Sequence, residues 1–195
     1  MTTIEGRTVQ LRPARPSDRR RVYAWLAQSD LTASMMGPPE YPELRPPTWE
    51  EFCADYGPHF FDGSAPELEA SYIIEAAGEA VGHVNYEVRD APVRHAELDI
   101  WLRSERDTGH GYGPDALAAL AAHLHATLGV GTFLLRPSAR NRRAIRAYQK
   151  GGFTLVPMTA QEQTETYGPG DYEDTVVLVL ERPAQPAPPP EGTSE

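Results

Sequence analysis

RDTGHGYG, Arg106–Gly113, lies between two segments of different periodicity. Before it, AELDIWL (Ala96–Leu102) alternates with a period of two. Ala96, Leu98, Ile100 and Leu102 fall on one face of a strand, and Glu97, Asp99 and Trp101 on the other. After it, Leu117, Leu120, Ala121, Leu124 and Leu128 recur at helical spacing. The predicted order is strand, glycine loop, helix. Such a loop gathers backbone N–H groups at the positive end of a helix, where they can cradle a phosphate or pyrophosphate, and glycine removes the side chains that would block its approach. The stretch lacks the Gly-Lys-Ser/Thr of a nucleotide-triphosphate loop. Its glycines are spaced G-x-G-x-G, so it is not the G-x-G-x-x-G dinucleotide fingerprint either. The pattern left is R-x-x-G-x-G.

A second constellation follows, PSARNRRAIRAYQKGGF (Pro137–Phe153). Residues 139–150 read as a helix closed by Gly151 and Gly152. Asn141, Ala144, Ile145 and Tyr148 fall at i, i+3, i+4 and i+7, a stripe with an amide and a phenol two turns apart, roughly 10 Å. N-x-x-A-x-x-x-Y-x-K-x-G-F, met by Asn141, Ala144, Tyr148, Lys150, Gly152 and Phe153, resembles the second signature of the GNAT acetyltransferase superfamily. R-x-x-G-x-G resembles that superfamily's acyl-CoA loop. The likeness spans residues 96–153 by motif and about 8–181 by element order.

The resemblance implies an α+β (mixed α/β) fold, with a central, mostly antiparallel mixed sheet of six to seven strands flanked by about four helices. It implies an enzyme using acetyl-CoA as acyl donor, with no metal, and direct transfer to a primary amine in a ternary complex. Arg106, Gly109, His110, Gly111, Tyr112 and Gly113 would hold the pyrophosphate. Asn141 and Ala144 would line the thioester arm. The backbone at Ile100, Trp101 and Leu102 would meet the oxyanion, beside a bulge that splays this strand from the next. Tyr148 resembles the general acid. A lysine-like amine has a pKa near 10.4 and is protonated at pH 7, so a base must free its lone pair. Glu97 and Asp99 project side by side for that task, and the sequence leaves open which of them acts. A non-catalytic acyl-CoA-binding module is the alternative reading.

Composition is compatible with this. The 195 residues fit one domain with a full core, expected over 1–182, followed by a disordered proline-rich tail over 183–195. The lone Cys53 excludes an intrachain disulfide or cysteine metal cluster. No apolar run approaches about 18 residues, so a cytoplasmic protein that does not enter a membrane is expected. The net charge of −10 conceals a basic region: residues 101–151 carry eight Arg and Lys against three acids, +5, which leaves −15 elsewhere. That balance disfavours nucleic acid and suits a polyanionic cofactor. Expected partners are a small-molecule amine or a peptide N-terminus, for a monomer or homodimer.

In chain order, Thr8–Ala14 reads as a strand and Ser17–Gln28 as a helix capped by Ser17. Residues 30–47 read as a proline-rich loop whose Met35, Met36 and Tyr41, with Trp49, could line an acceptor pocket. Thr48-x-x-Glu51 is a capping box for a helix to about Asp55. ASYIIEAA and AVGHVNYEV form a hairpin about Gly78-Glu79. Thr132–Arg136 is a strand, a further strand begins at Phe153, Gln161–Asp171 is a polar loop, and TVVLVL is the final strand. Within the superfamily the chain is most similar to aminoglycoside 6'-N-acetyltransferases and nearly as similar to enzymes that acetylate protein N-termini. In the former, the segment before the Asn helix resembles T-D-P-S-x-x-N, whereas this chain has LRPSARN. Arg136 replaces an acceptor-facing Asp, so a singly charged amine is expected in place of a polycation, with Arg136 free to pair a nearby carboxylate of the acceptor.

Overall fold

The computed structural model describes residues 1–35, 45–90 and 94–183. Eight strands, β1 (Ile4–Glu5), β2 (Gln10–Pro13), β3 (Glu69–Ala76), β4 (Glu79–Arg89), β5 (His95–Leu102), β6 (Thr132–Leu135), β7 (Thr154–Val156) and β8 (Val177–Glu181), make one sheet in the order β1-β2-β3-β4-β5-β6-β8-β7. Only β5 and β6 are parallel neighbours. The mixed, mostly antiparallel sheet is as expected, one strand larger because Ile4–Glu5 adds a short edge. Helical segments are α1 (Arg19–Gln28), α2 (Thr32–Met35), α3 (Trp49–Asp55), α4 (His59–Asp62), α5 (Tyr112–Leu128), α6 (Arg142–Lys150) and α7 (Ala160–Tyr167).

The period-two reading of β5 decides the layering. Ala96 and Leu98 pack with Leu117, Leu120 and Leu124 of α5 and with Phe133, Ile74 and Val84. Trp101 faces the opposite way, into a second core of Val22, Trp25, Leu26, Phe52, Phe60, Phe61 and Ile73 under α1, α3 and α4. The sheet thus separates the helix that follows the glycine loop from the helices of the first third of the chain.

β5 stays in register with β4 along its whole length, from Arg89↔His95 to Gly82↔Leu102. The expected bulge in β5 is therefore absent; the register shift nearby is between β3 and β4, where Ile74↔Gly82 is followed by Glu75↔Ala80 and Val81 of β4 is skipped. Yet β5 and β6 do part. They pair only at His95↔Thr132, Ala96↔Phe133 and Glu97↔Leu134. β6 ends at Leu135, and beyond it the chain stays with the β8 side, where Pro137 O accepts from Val176 N at 2.9 Å.

Four other boundaries differ from the sequence reading. Pro16–Asp18 is a 3-10 turn and Asp18, not Ser17, occupies the cap of α1, its carboxylate accepting from Arg15 N at 2.9 Å. Residues 160–167 are helical because Thr159 and Glu162 form a capping box. The hairpin turns on Ala77-Gly78, both at positive φ, one residue earlier than expected. The second signature starts its helix at Arg142, with Asn141 outside it as cap. Thr32–Met35 is a helical turn within the expected loop; Met36 and Tyr41 lie outside the described residues, as does the tail from 184.

Asp115, in the first turn of α5, fixes that helix to the start of the chain. Its buried carboxylate accepts from the backbone N–H of Arg7 (3.1 Å), Thr8 (2.6 Å) and Val9 (3.2 Å) and from the Thr8 hydroxyl (2.9 Å). Burial alone would raise its pKa; the donors, Thr8 first, outweigh burial and hold it below the usual carboxylate range. A depressed carboxylate stabilises the fold above its unfolded pKa, and that contribution is lost as pH falls through the folded one. Asp115→Ala should cost about 3 kcal/mol at pH 7 by urea unfolding. Asp115→Asn should also flatten the loss of stability as pH falls below the usual carboxylate range.

Candidate active site

Arg103 holds the entry to the glycine loop. Its guanidinium grips buried Asp107 through two bonds, of 2.9 and 2.8 Å, with Ser104 Oγ adding a third at 3.0 Å. Gly109 and Gly111 both sit at positive φ, 79° and 83°, and a Cβ on either would meet open space. Here the demand for glycine is conformational, since an L side chain in that region costs roughly 1–2 kcal/mol. Gly111 caps α5, so Tyr112 and Gly113 are its first residues and their amides belong to its unpaired first turn.

A cleft of about 340 Å³ opens between this loop, the parted end of β5 and α6. Of the residues singled out in the sequence, Ile100, Trp101, Leu102, Gly109, Gly111, Tyr112, Gly113, Asn141, Ala144 and Tyr148 line it. Trp101 contributes from the strand while its ring is buried on the far side, 4.4 Å from the His83 ring. Arg106, His110, Glu97 and Asp99 are not in the lining. Arg106 is exposed, and His110 turns its Nε2 to Arg106 O at 3.1 Å and stacks on Tyr112. Arg143, Arg146 and Lys150, on the outer turns of α6, supply positive charge along one wall. Arg143 is ion-paired with Glu105, across from the loop. Asn141 is both lining and cap, its side chain accepting from Ala144 N at 3.1 Å.

The strand edge facing the cleft carries amides outside the β5–β6 ladder. Arg103 N donates to Val81 O, so the odd-numbered amides at this end of β5 face β4. Those of Ile100 and Leu102 point to the other side, beyond the last rung with β6 at Glu97↔Leu134. Ile100 N donates to Asp99 Oδ1 at 2.9 Å.

Glu97 and Asp99 have separate fates. Glu97 receives Arg136 Nε and Nη2 at 2.7 and 2.8 Å, a bidentate pair in which the Arg136 side chain is only 9% exposed. Arg136 Nη1 also donates to the carbonyls of Gly168 (2.9 Å) and Pro169 (3.1 Å). It is therefore not free for an acceptor carboxylate, contrary to expectation; its charge is spent on Glu97. Asp99 has no cation among its contacts. The Tyr56 hydroxyl donates to its Oδ2 at 2.8 Å. Although solvent reaches it, enclosure by protein pushes its pKa up to about 6; the Tyr56 bond opposes the rise, and the charges of Asp171 and Glu97 add to it.

Phenols surround this carboxylate. Burial, then the charge of Asp99, raises Tyr56, Tyr148 and Tyr172 above the usual phenol range, so all three stay protonated at neutral pH. Tyr56, Asp171 and Tyr172 were not found from the sequence: Tyr56 meets Asp99 across 43 positions, with no local signal. Among the described residues no group of three His, Cys, Asp or Glu is placed to hold a metal, and no helix is long and apolar enough to cross a membrane. Because Tyr56 lowers the Asp99 pKa, Tyr56→Phe should move the Asp99 midpoint upward from about 6, read from the carboxyl carbon by NMR.

The fold finds counterparts among known structures. Aminoglycoside acetyltransferase AAC(6')-Ib, solved with ribostamycin and coenzyme A, is 23% identical, with 90% of this chain and 94% of that one covered at a TM-score of 0.67. RimL, the ribosomal L7/L12 alpha-N-protein acetyltransferase in complex with coenzyme A, is 19% identical over 92% and 98% at 0.66. Spermidine N-acetyltransferase from Vibrio cholerae, with CoA and spermine, is 18% identical over 89% and 95% at 0.64. At these identities the likeness is one of fold. No match was found among curated proteins. The family model described as Acetyltransferase (GNAT) domain matches residues 8–154. With that match over three quarters of its length, the chain belongs to the GNAT acetyltransferase family, enzymes that draw their acyl group from acetyl-CoA.

Proposed function

We propose that this protein transfers an acetyl group from acetyl-CoA directly to a primary amine, with Asp99 as the base and Tyr148 as the acid. The observation that carries the reading is the contrast between the two strand carboxylates. Glu97 is neutralised by Arg136, whereas Asp99, held near pKa 6, is ionised at neutral pH yet basic enough to accept a proton.

The residues present fit the donor. The cleft is walled by an open strand edge, the amides of a glycine loop at a helix N-terminus and a basic helix face, a donor set suited to a pyrophosphate and an amide-bearing arm. When bound, acetyl-CoA supplies the activated acyl carbon. Asp99 takes the ammonium proton of the acceptor and leaves the nitrogen lone pair free. The amides of the β5 edge, Leu102 foremost because Ile100 N is already engaged by Asp99, are the donors available to a developing oxyanion. Tyr148 gives its proton to sulfur as the carbon–sulfur bond breaks, and the proton shed by the nitrogen after attack restores the phenol. No acyl-enzyme is required, and Cys53 is partly buried in the second core, away from the cleft.

The acceptor side is acidic but sparsely so. With Glu97 paired to Arg136, Asp99 and Asp171 are the carboxylates of this side without a bonded cation among the described residues, and the charge of Asp171 adds to the rise at Asp99. That suits a singly charged amine or a peptide N-terminus better than a polycation, which needs several carboxylates to replace its water. The test is CoA release from acetyl-CoA with a panel of amines that includes kanamycin, followed by the pH profile of kcat/KM for the best acceptor. The acidic limb should lie at about pH 6, since the deprotonated carboxylate is the active form. Asp99→Asn should remove the limb and lower kcat/KM by 10²-fold or more, while Glu97→Gln retains an acidic limb, displaced to lower pH. Tyr148→Phe should lower kcat and leave CoA affinity intact. A full rate and limb in Asp99→Asn would refute the assignment, and kanamycin turnover above about 10⁴ M⁻¹s⁻¹ would refute the acceptor class.

A further inference from the structure

We propose that Arg136 is a positioning residue of the acyl-transfer site: by neutralising Glu97 at the point where β5 and β6 part, it sets the proton affinity of Asp99, two residues along the strand. The inference rests on the reading of Asp99 as the reacting carboxylate, and it turns on charge, not on the Asp99 contacts already described.

The geometry is that of a buried charge with one purpose. Arg136 follows the last residue of β6, and its fork closes on Glu97, the last residue of β5 that still pairs with β6. Both N–H···O distances are under 2.9 Å, and the third nitrogen is spent on the carbonyls of the Gly168-Pro169 turn. A guanidinium so enclosed and so satisfied is fixed in place, and a bidentate fork is a geometry that lysine cannot reproduce. Glu97 and Asp99 project from the same face of β5, so without Arg136 a bare carboxylate would stand beside the reacting one. Two adjacent carboxylates cannot both ionise freely.

The charges around the pair are few. Asp99 is faced by Tyr56 after α3, Tyr148 of α6, and Tyr172 and Asp171 of the segment before β8. Glu97 lies opposite Glu87 of β4, which carries its own ion pair to Arg89. Asp171 acts on both, and Asp55 and Arg89 act on Asp171. Among these groups Arg136 is the cation bonded to a strand carboxylate of the site. The position also explains why an arginine can stand where the aminoglycoside enzymes resemble T-D-P: it silences one acid of the acceptor side and does not repel the acceptor.

The test is a charge cycle read on the Asp99 carboxyl carbon by NMR titration of the full chain without substrates. Arg136→Met should raise the Asp99 midpoint by about one pH unit, because Glu97 is then uncompensated. Glu97→Gln should lower it, because the Arg136 cation then acts on Asp99 alone. The double variant, which buries no charge at either position, should return it to within about 0.3 of the wild-type value. A merely structural role would not give shifts of opposite sign that cancel. Should Arg136→Met fail to fold, the Glu97→Gln single and the double variant still carry the comparison, and equal midpoints in those two would overturn the proposal. So would an unmoved midpoint in a folded Arg136→Met. Because no turnover is measured, these outcomes are separate from whether Asp99→Asn retains activity, which tests the role of Asp99 itself.

Discussion

Everything in the site depends on where β5 and β6 stop pairing. Parallel strands joined through α5 would ordinarily share a ladder to their ends, and a ladder would consume the amides of Ile100 and Leu102. Here the shared ladder stops at Glu97↔Leu134, and β6 itself ends after four residues. The wedge that results holds three things at once: strand amides outside the ladder, the first turn of α5 with its glycine loop, and the inner wall of α6. β4 keeps β5 in register throughout, so the wedge opens on one side without loosening the other.

The same parting sorts the polar groups. On the cleft face, Asn141 and Tyr148 reach the wedge from α6. On the opposite face, Glu97 falls inside the last paired rung and is met by Arg136, whereas Asp99 falls outside it and is met by the Tyr56 hydroxyl and the Ile100 amide. Two like carboxylates two residues apart thereby acquire different chemistry from a one-rung difference in pairing. Pairing with a cation keeps one silent; enclosure without a cation keeps the other poised near neutrality.

How much of this could be read from the sequence follows from the range of the interactions. The glycine loop, the Asn helix and the faces of β5 are local patterns, and they were legible because positive φ, helical spacing and strand alternation leave marks within a few residues. The capping box at Thr48 was read for the same reason, and the identical signal at Thr159 and Glu162 would have revealed α7 within the segment read as a loop. The Arg136–Glu97 and Tyr56–Asp99 bonds span 39 and 43 positions and exist only once the sheet is assembled. Arg136 was singled out from its place beside Pro137, but its partner was not, so its charge was expected to face the acceptor. The bulge expected in β5 failed differently: the strands part as anticipated, but β5 keeps its register with β4 throughout.

The central claim is that the open edge of β5 and the glycine loop together form the acyl-donor site. Amide hydrogen exchange followed residue by residue by NMR, with and without CoA, tests it most directly. The account predicts that the amides of Leu102 and of Gly109–Gly113 gain protection when CoA is added, while Arg103, already bonded to Val81 O, changes little. Protection appearing elsewhere, with the amides of Leu102 and the loop exchanging as before, would contradict it.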